Sequence, residues 1–79
     1  MTQKEQIHYI EQCESRSRAN PGKTVKVSPG FYFLTVGKYL WHIAYDSYID
    51  RWCSHTDDER GLYTEETRTK RQQIDCLLS

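Results

Sequence analysis

The stretch from Gly30 to Asp46 is apolar at nearly every position, and only Gly37-Lys38 interrupts it. Glycine tolerates positive φ, so a Gly at the first central position predicts a two-residue type II′ hairpin turn. Because side chains alternate across a strand, one face of the hairpin carries Tyr32, Leu34, Val36, Tyr39, Trp41 and Ile43, and the other carries Phe31, Phe33, Thr35, Leu40, His42 and Ala44. A face in contact with water would show more polar residues. Either helices cover both faces, or one face binds a partner.

A shorter alternating segment precedes the hairpin. Two valines alternate there with polar residues, which predicts a half-buried strand over about 23–28. Lys23 and Lys26 are typical of an edge strand, since charged side chains discourage pairing with another chain. With further strands at about 31–36 and 39–45, the sequence predicts a three-stranded antiparallel meander.

Capping signals predict a helix before the sheet and another after it. Thr2 with Glu5 three positions later is typical of a capping box, and it opens a helix over 3–17. Thr64 is a second candidate cap, followed by acidic residues that favour the helix dipole, which predicts a helix over 65–78. Each helix has a narrow apolar stripe that should pack on the sheet.

The segment over 46–54 follows the hairpin and changes its hydrophobic period. Asp46 or Ser47 can cap a short helix in which helical spacing relates Tyr48, Ile49, Trp52 and Cys53. A continued strand is the alternative, but it would mix isoleucine with serine and arginine on one face. The sequence therefore predicts an α+β domain in which three helices pack on a three-stranded meander.

Length, charge and cysteine usage restrict the class of protein. Seventy-nine residues make one small domain, 1–79, near the size where a single core is only just sufficient. Eleven basic and eleven acidic side chains balance, so no net charge attracts nucleic acid or an anionic membrane. Three widely spaced cysteines suit a reducing compartment. Without an apolar run of spanning length or a secretory signal, we expect a cytoplasmic protein.

Several thiol, imidazole and carboxylate groups are candidates for a reactive or metal-binding set. Cys53, His55 and Asp57 alternate, so an extended backbone would place a nucleophile, a base and an acid on one side. Catalytic partners, however, usually converge from separate parts of a fold. The candidate zinc ligands lack the paired spacing of local chelation: Cys13, His42, Cys53, His55 and Cys76. We therefore expect no catalytic residues, no metal and no cofactor, and a protein that is not an enzyme.

The final tetrapeptide, Cys76-Leu77-Leu78-Ser79, matches the pattern for prenylation of the cysteine. Basic residues upstream, at positions 68, 70 and 71, would supply the second membrane signal that one lipid chain needs. The other interpretation is that the two leucines simply end an amphipathic helix. A peripheral membrane protein lipidated at Cys76 is thus one alternative.

A second alternative is a protein that binds single-stranded nucleic acid. Basic residues are close in sequence to a hairpin that carries aromatic side chains, namely Arg16, Arg18, Lys23 and Lys26 near Tyr32, Tyr39 and Trp41. Such surfaces bind nucleic acid by base stacking and phosphate contacts. The balanced net charge and the absence of a known binding motif make this the less favoured partner.

The preferred hypothesis is a non-enzymatic module that binds another protein. Tyrosine and tryptophan are enriched at interface centres, and acidic residues suit a polar rim. The predicted contact residues are Tyr39, Tyr45, Tyr48, Trp52 and Tyr63, with Asp57, Asp58 and Glu59 on the rim. In size and composition alone, the chain is similar in kind to accessory proteins that phages and mobile elements use to inhibit host machinery. A symmetric dimer through the second hairpin face is a further expectation.

Overall fold

A computed structural model describes residues 2–79, which fold into one antiparallel sheet with a helix on each face. The four strands are adjacent in chain order, so the sheet is a simple meander. The elements are α1 (Gln3–Ala19), β1 (Val25–Ser28), β2 (Phe31–Val36), β3 (Tyr39–Asp46), β4 (Arg51–Thr56) and α2 (Lys70–Leu78). The α+β class and the meander are confirmed, with four strands in place of three and two helices in place of three.

The hairpin of β2 and β3 has the predicted register. Val36 pairs with Tyr39, and each later pair follows without a bulge as far as Phe31 with Ala44. Gly37 has φ of +61°, and no other residue of this turn has positive φ. That pattern is the one a type II′ turn requires of its first central residue.

Both apolar faces of the hairpin are used to build a core. On the face covered by α1, Cys13 packs with Val25, Val27, Phe33 and Leu40. On the face covered by α2, Leu77 packs with Leu34 and Ile43, and partly buried aromatic residues surround them. The excess of apolar residues is therefore explained by two thin cores on opposite sides of the sheet.

The predicted short helix over 46–54 is wrong. The chain turns at 47–50 and returns as β4, in which Trp52 pairs with Tyr45 and Ser54 pairs with Ile43. Asp46 stabilises the turn, because its carboxylate accepts a hydrogen bond of 2.9 Å from the backbone N–H of Tyr48. The helical spacing of apolar residues was a coincidence that strand pairing overrides.

The bounds of both predicted helices also change. Thr2 accepts a hydrogen bond from the Glu5 N–H, as predicted, but α1 continues to Ala19. The C-terminal helix begins at Lys70 instead of residue 65, since the capping box is formed by Thr69 with Gln72.

The segment before α2 is an irregular extra strand along the outer edge of β4. Backbone N–H groups of Trp52 and Thr56 donate to the carbonyls of Thr67 and Leu62, at 2.7 and 2.8 Å. The N–H of Thr64 donates to the carbonyl of Ser54 at 3.0 Å. These bonds satisfy an edge that would otherwise be open to another chain.

Gln73 is fully buried and joins α2 to this segment and to β4. Its amide nitrogen donates to the carbonyls of Trp52 and Glu65, at 2.9 and 2.8 Å. Its amide oxygen accepts from the hydroxyls of Ser54 and Thr64, at 2.5 and 2.8 Å. All hydrogen-bonding positions of the side chain are thus occupied, which a buried amide needs to avoid a desolvation penalty.

Replacing Gln73 with alanine should destabilise the fold by about 3 kcal/mol, because two hydroxyls and two carbonyls lose their buried partner. Urea denaturation of Gln73→Ala checks this. The control is Gln6→Ala on the exposed surface of α1, which should stay within about 0.5 kcal/mol of the parent. Equal unfolding midpoints for the two variants would contradict the assigned role of Gln73.

Candidate functional site

Several exposed apolar side chains lie at one end of the sheet, which we call the aromatic end and define as Tyr9, Tyr45, Tyr48, Ile49 and Trp52. Ile7 and Ile10 on α1, Tyr63 and Leu78 are also exposed. The β1–β2 turn and the β3–β4 turn both lie at the aromatic end, since the Tyr45 N–H donates to the Gly30 carbonyl at 2.9 Å. Helix α1 reaches the same end through Tyr9, whose hydroxyl donates to the Val27 carbonyl at 3.0 Å.

Exposure at the aromatic end is high for side chains of this kind. Tyr48 is 98% exposed, Ile49 43% and Tyr45 40%, whereas Trp52 is partly buried. Clustered exposed apolar surface in a small protein marks an interaction site more often than isolated residues do. The aromatic end is therefore the leading candidate for a functional surface.

Two contacts fix the geometry of the Tyr45 side chain. The Tyr45 and Trp52 rings are 5.5 Å apart between centroids, as expected for a cross-strand pair. The Tyr45 hydroxyl donates to the Asp50 carboxylate at 2.5 Å, and this bond raises the pKa of Tyr45, so the phenol stays protonated. Asp50 adopts φ of +52° in the turn. A surface ordered in this way loses little entropy on binding.

Beside the aromatic end lies an open groove of about 500 Å³, which we call the aromatic groove. Tyr32, Tyr45 and Trp52 come from three adjacent strands and form its apolar wall. Lys26 lies next to Tyr32 in the β1–β2 ladder, and the Lys70 ammonium lies 4.2 Å from the centroid of the Tyr32 ring. Pro29 and Gly30 complete the lining of the groove.

Other predicted contact residues lie at the opposite end of β3. Tyr39 and Asp57 line a smaller cavity of about 280 Å³ together with Asp58. The Asp58 carboxylate accepts bonds from the Thr56 hydroxyl and the Gly61 N–H, and mainly the first bond lowers the pKa of Asp58. Tyr39 and Tyr45 are six positions apart in β3, which is roughly 20 Å. The structure thus divides the predicted surface into two groups.

Tyr63 and Glu59 line neither the aromatic groove nor the cavity near Tyr39. Tyr63 is 82% exposed and forms an isolated bridge with His55. Glu59 is exposed in the loop after β4. Tyr45, Tyr48 and Trp52 are therefore the only predicted contact residues that the structure brings together as an aromatic cluster.

Sequence reasoning missed three contributors to this region, namely Tyr32, Lys70 and Ile49. The predicted register already placed Tyr32 on the same face as Tyr45, so that signal was available. Lys70 joins them only because α2 crosses this face, and no local pattern reveals that packing.

The reactive groups do not assemble into a site. Cys53 and His55 share the α1 face, but burial raises the pKa of Cys53, so the thiol is protonated at neutral pH. Within residues 2–79, no three His, Cys, Asp or Glu side chains are grouped closely enough to hold a metal ion. Cys76 is exposed on α2, whereas Leu77 is in the core, so an enzyme that needs an extended tail would first have to release Leu77.

The basic residues considered for nucleic acid are also divided. Arg18 lines the cavity near Tyr39, whereas Lys26 is at the aromatic groove. Trp41 packs against the α2-face core and offers no open ring stack.

Comparison of the chain with known protein families, with curated proteins and with solved structures finds no match. Among the helices of residues 2–79, none is long and apolar enough to cross a membrane.

His42 is the one partly buried histidine at the α1 core. Its ring lies 4.8 Å from Phe33 and 5.2 Å from His55 between centroids, and its Nε2 atom is buried without a hydrogen-bond partner. Burial, followed by the charge of His55, lowers the pKa of His42 below its ordinary value of 6.5, although Asp57 and Glu14 partly oppose this shift.

The fold should therefore lose stability as the pH falls below about 6.5, because the unfolded chain then takes up a proton that folded His42 resists. The stability that neutral His42 contributes is complete above pH 6.5 and is lost as the pH falls toward the pKa of His42 in the folded protein. His42→Phe should flatten this dependence in thermal melts at pH 7.5 and 5, whereas His8→Gln on the exposed side of α1 should not. An unchanged pH dependence in His42→Phe would contradict the assignment.

Proposed function

We propose that this protein is a non-enzymatic module that binds a larger protein through the aromatic end. The observation that supports this most is the exposure of Tyr48, Ile49 and Tyr45 side by side at one end of a sheet whose remaining apolar residues are largely covered. Aromatic residues of this kind supply most of the binding energy at protein interfaces.

Electrostatics support the same surface. Asp46, Asp50 and Arg51 surround the β3–β4 turn, so a polar rim borders the apolar centre. Mixed charge at a rim favours orientation of a partner and contributes less to affinity than the buried centre does.

We further propose that binding inhibits the partner by occupying its surface, in the manner of small phage or mobile-element accessory proteins. The domain measures 32 × 30 × 23 Å, so a contact over one end can block an area comparable with a standard interface. Because α1 packs on the second hairpin face, over Phe33 and Leu40, a symmetric dimer would use the aromatic end instead of that face.

Tyr48→Ala should weaken binding by about 2 kcal/mol or more, roughly thirtyfold, because it removes an aromatic contact from the interface centre. The partner is captured from the native host with the whole protein, identified, and titrated by calorimetry. Since Tyr48 is almost fully exposed, the variant should unfold within about 0.5 kcal/mol of the parent.

Tyr63→Ala is the matched control, because it removes another highly exposed tyrosine that lies outside the aromatic end. Parental affinity in Tyr48→Ala would contradict the proposed surface. If only Tyr63→Ala lowered the affinity for the partner, the interface would lie at the segment after β4 instead. Sedimentation of the free protein at several concentrations separates partner binding from self-association through the same end.

A further inference from the structure

We propose that the aromatic groove binds an extended, proline-containing segment of the partner with acidic residues at one end. This inference rests on the proposed function and adds to it the chemistry of the bound segment. It depends on three observations, namely the shape of the groove, the pairing of the sheet backbone and the position of two lysines.

The rings of the groove form notches instead of a flat platform. Trp52 is tilted by 47° to Tyr32 and by 54° to Tyr45, with centroids 6.2 and 5.5 Å apart. Compact, rigid side chains such as a pyrrolidine ring fit between tilted rings. A segment in the polyproline conformation advances about 3.1 Å per residue, so about four residues cross the three rings.

The sheet face under the groove offers no free backbone groups for a β-strand to pair with. The groove lies on a sheet face, where β2, β3 and β4 have already used their backbone groups in the ladders. A ligand here must be recognised through side chains. A proline-rich segment suits this requirement, since it needs no backbone ladder and is already ordered before it binds.

Charge selects acidic residues for one end of the segment. Lys26 and Lys70 flank Tyr32 from β1 and α2, and no acidic side chain lines the groove among the described residues. Asp50 lies at the opposite end, next to Tyr45, where it accepts the tyrosine hydroxyl. Acidic residues should therefore lie at the end of the segment that contacts Tyr32.

The same observations disfavour single-stranded nucleic acid. Stacked bases need roughly parallel ring faces, but Trp52 is tilted by 47° to Tyr32 and by 54° to Tyr45. Asp50 would repel a phosphate that followed the groove toward Tyr45.

The test is a titration of the ¹⁵N-labelled protein, followed by NMR. The probe is an acetylated peptide of two glutamates followed by five prolines. Chemical-shift changes should be confined to the groove, including the backbone of Tyr45 and the indole of Trp52. A peptide of two lysines and five prolines should bind about fivefold more weakly, and one of two glutamates and five serines should bind more weakly still.

Charge exchange makes the assignment specific. Lys70→Glu should lower the affinity for the glutamate peptide about fivefold and raise the affinity for the lysine peptide, whereas Lys4→Glu on α1 should change neither affinity. Tyr45→Ala should lower the affinity for both peptides about tenfold, and Tyr63→Ala should leave both affinities unchanged.

The inference is overturned if the glutamate peptide causes no shifts in the groove, or if Lys70→Glu has the same effect as Lys4→Glu. It is also overturned if a twelve-nucleotide oligothymidylate shifts these resonances in a salt-dependent way and the peptide does not. If the peptide does not bind but Tyr48→Ala still weakens binding of the captured partner, the proposed function stands. If the peptide binds but Tyr48→Ala does not weaken binding of the captured partner, the proposed function is contradicted instead.

Discussion

The buried amide of Gln73 determines how the second half of the chain is arranged. As a residue of α2, Gln73 forms hydrogen bonds both to β4 and to the irregular segment after β4. Because a buried amide is tolerated only when all its partners are present, this arrangement is specific as well as stabilising. It fixes α2 over Leu34 and Ile43 and leaves the sheet beyond α2 open to solvent.

The length of α2 explains why apolar surface remains exposed. Nine helical residues extend about 13 Å, whereas the eight residues of β3 extend about 26 Å. One short helix therefore leaves part of that face incompletely covered. Tyr32 and Trp52 are only partly buried there and Tyr45 is exposed, so the short helix leaves room for the aromatic groove.

Local signals predicted the hairpin register and the first helix cap, because both depend on residues within a few positions of each other. They failed where a distant partner decides the structure. Thr64 looked like a helix cap, but its hydroxyl donates to Gln73 instead. The residues of β4 had helical spacing, yet Ser54 is buried in a strand because Gln73 satisfies its hydroxyl. Composition alone predicted Tyr45 and Tyr48 as contact residues. The positions of Trp52 and Lys70, by contrast, are set by the pairing of β4 and the packing of α2.

Charged side chains of both signs lie at each end of the sheet. Lys26 and Lys70 lie at the aromatic groove with Asp50 beside it, and Asp57 and Asp58 lie at the far end of β3 with Arg18 and Lys38. A standard interface of about 800 Å² per partner is roughly 30 Å across, close to the largest dimensions of this domain. A folded partner can therefore contact both ends at once, whereas a short peptide contacts the groove alone. Whether the far end of β3 contributes to affinity thus distinguishes a domain-sized contact from recognition of a single extended segment.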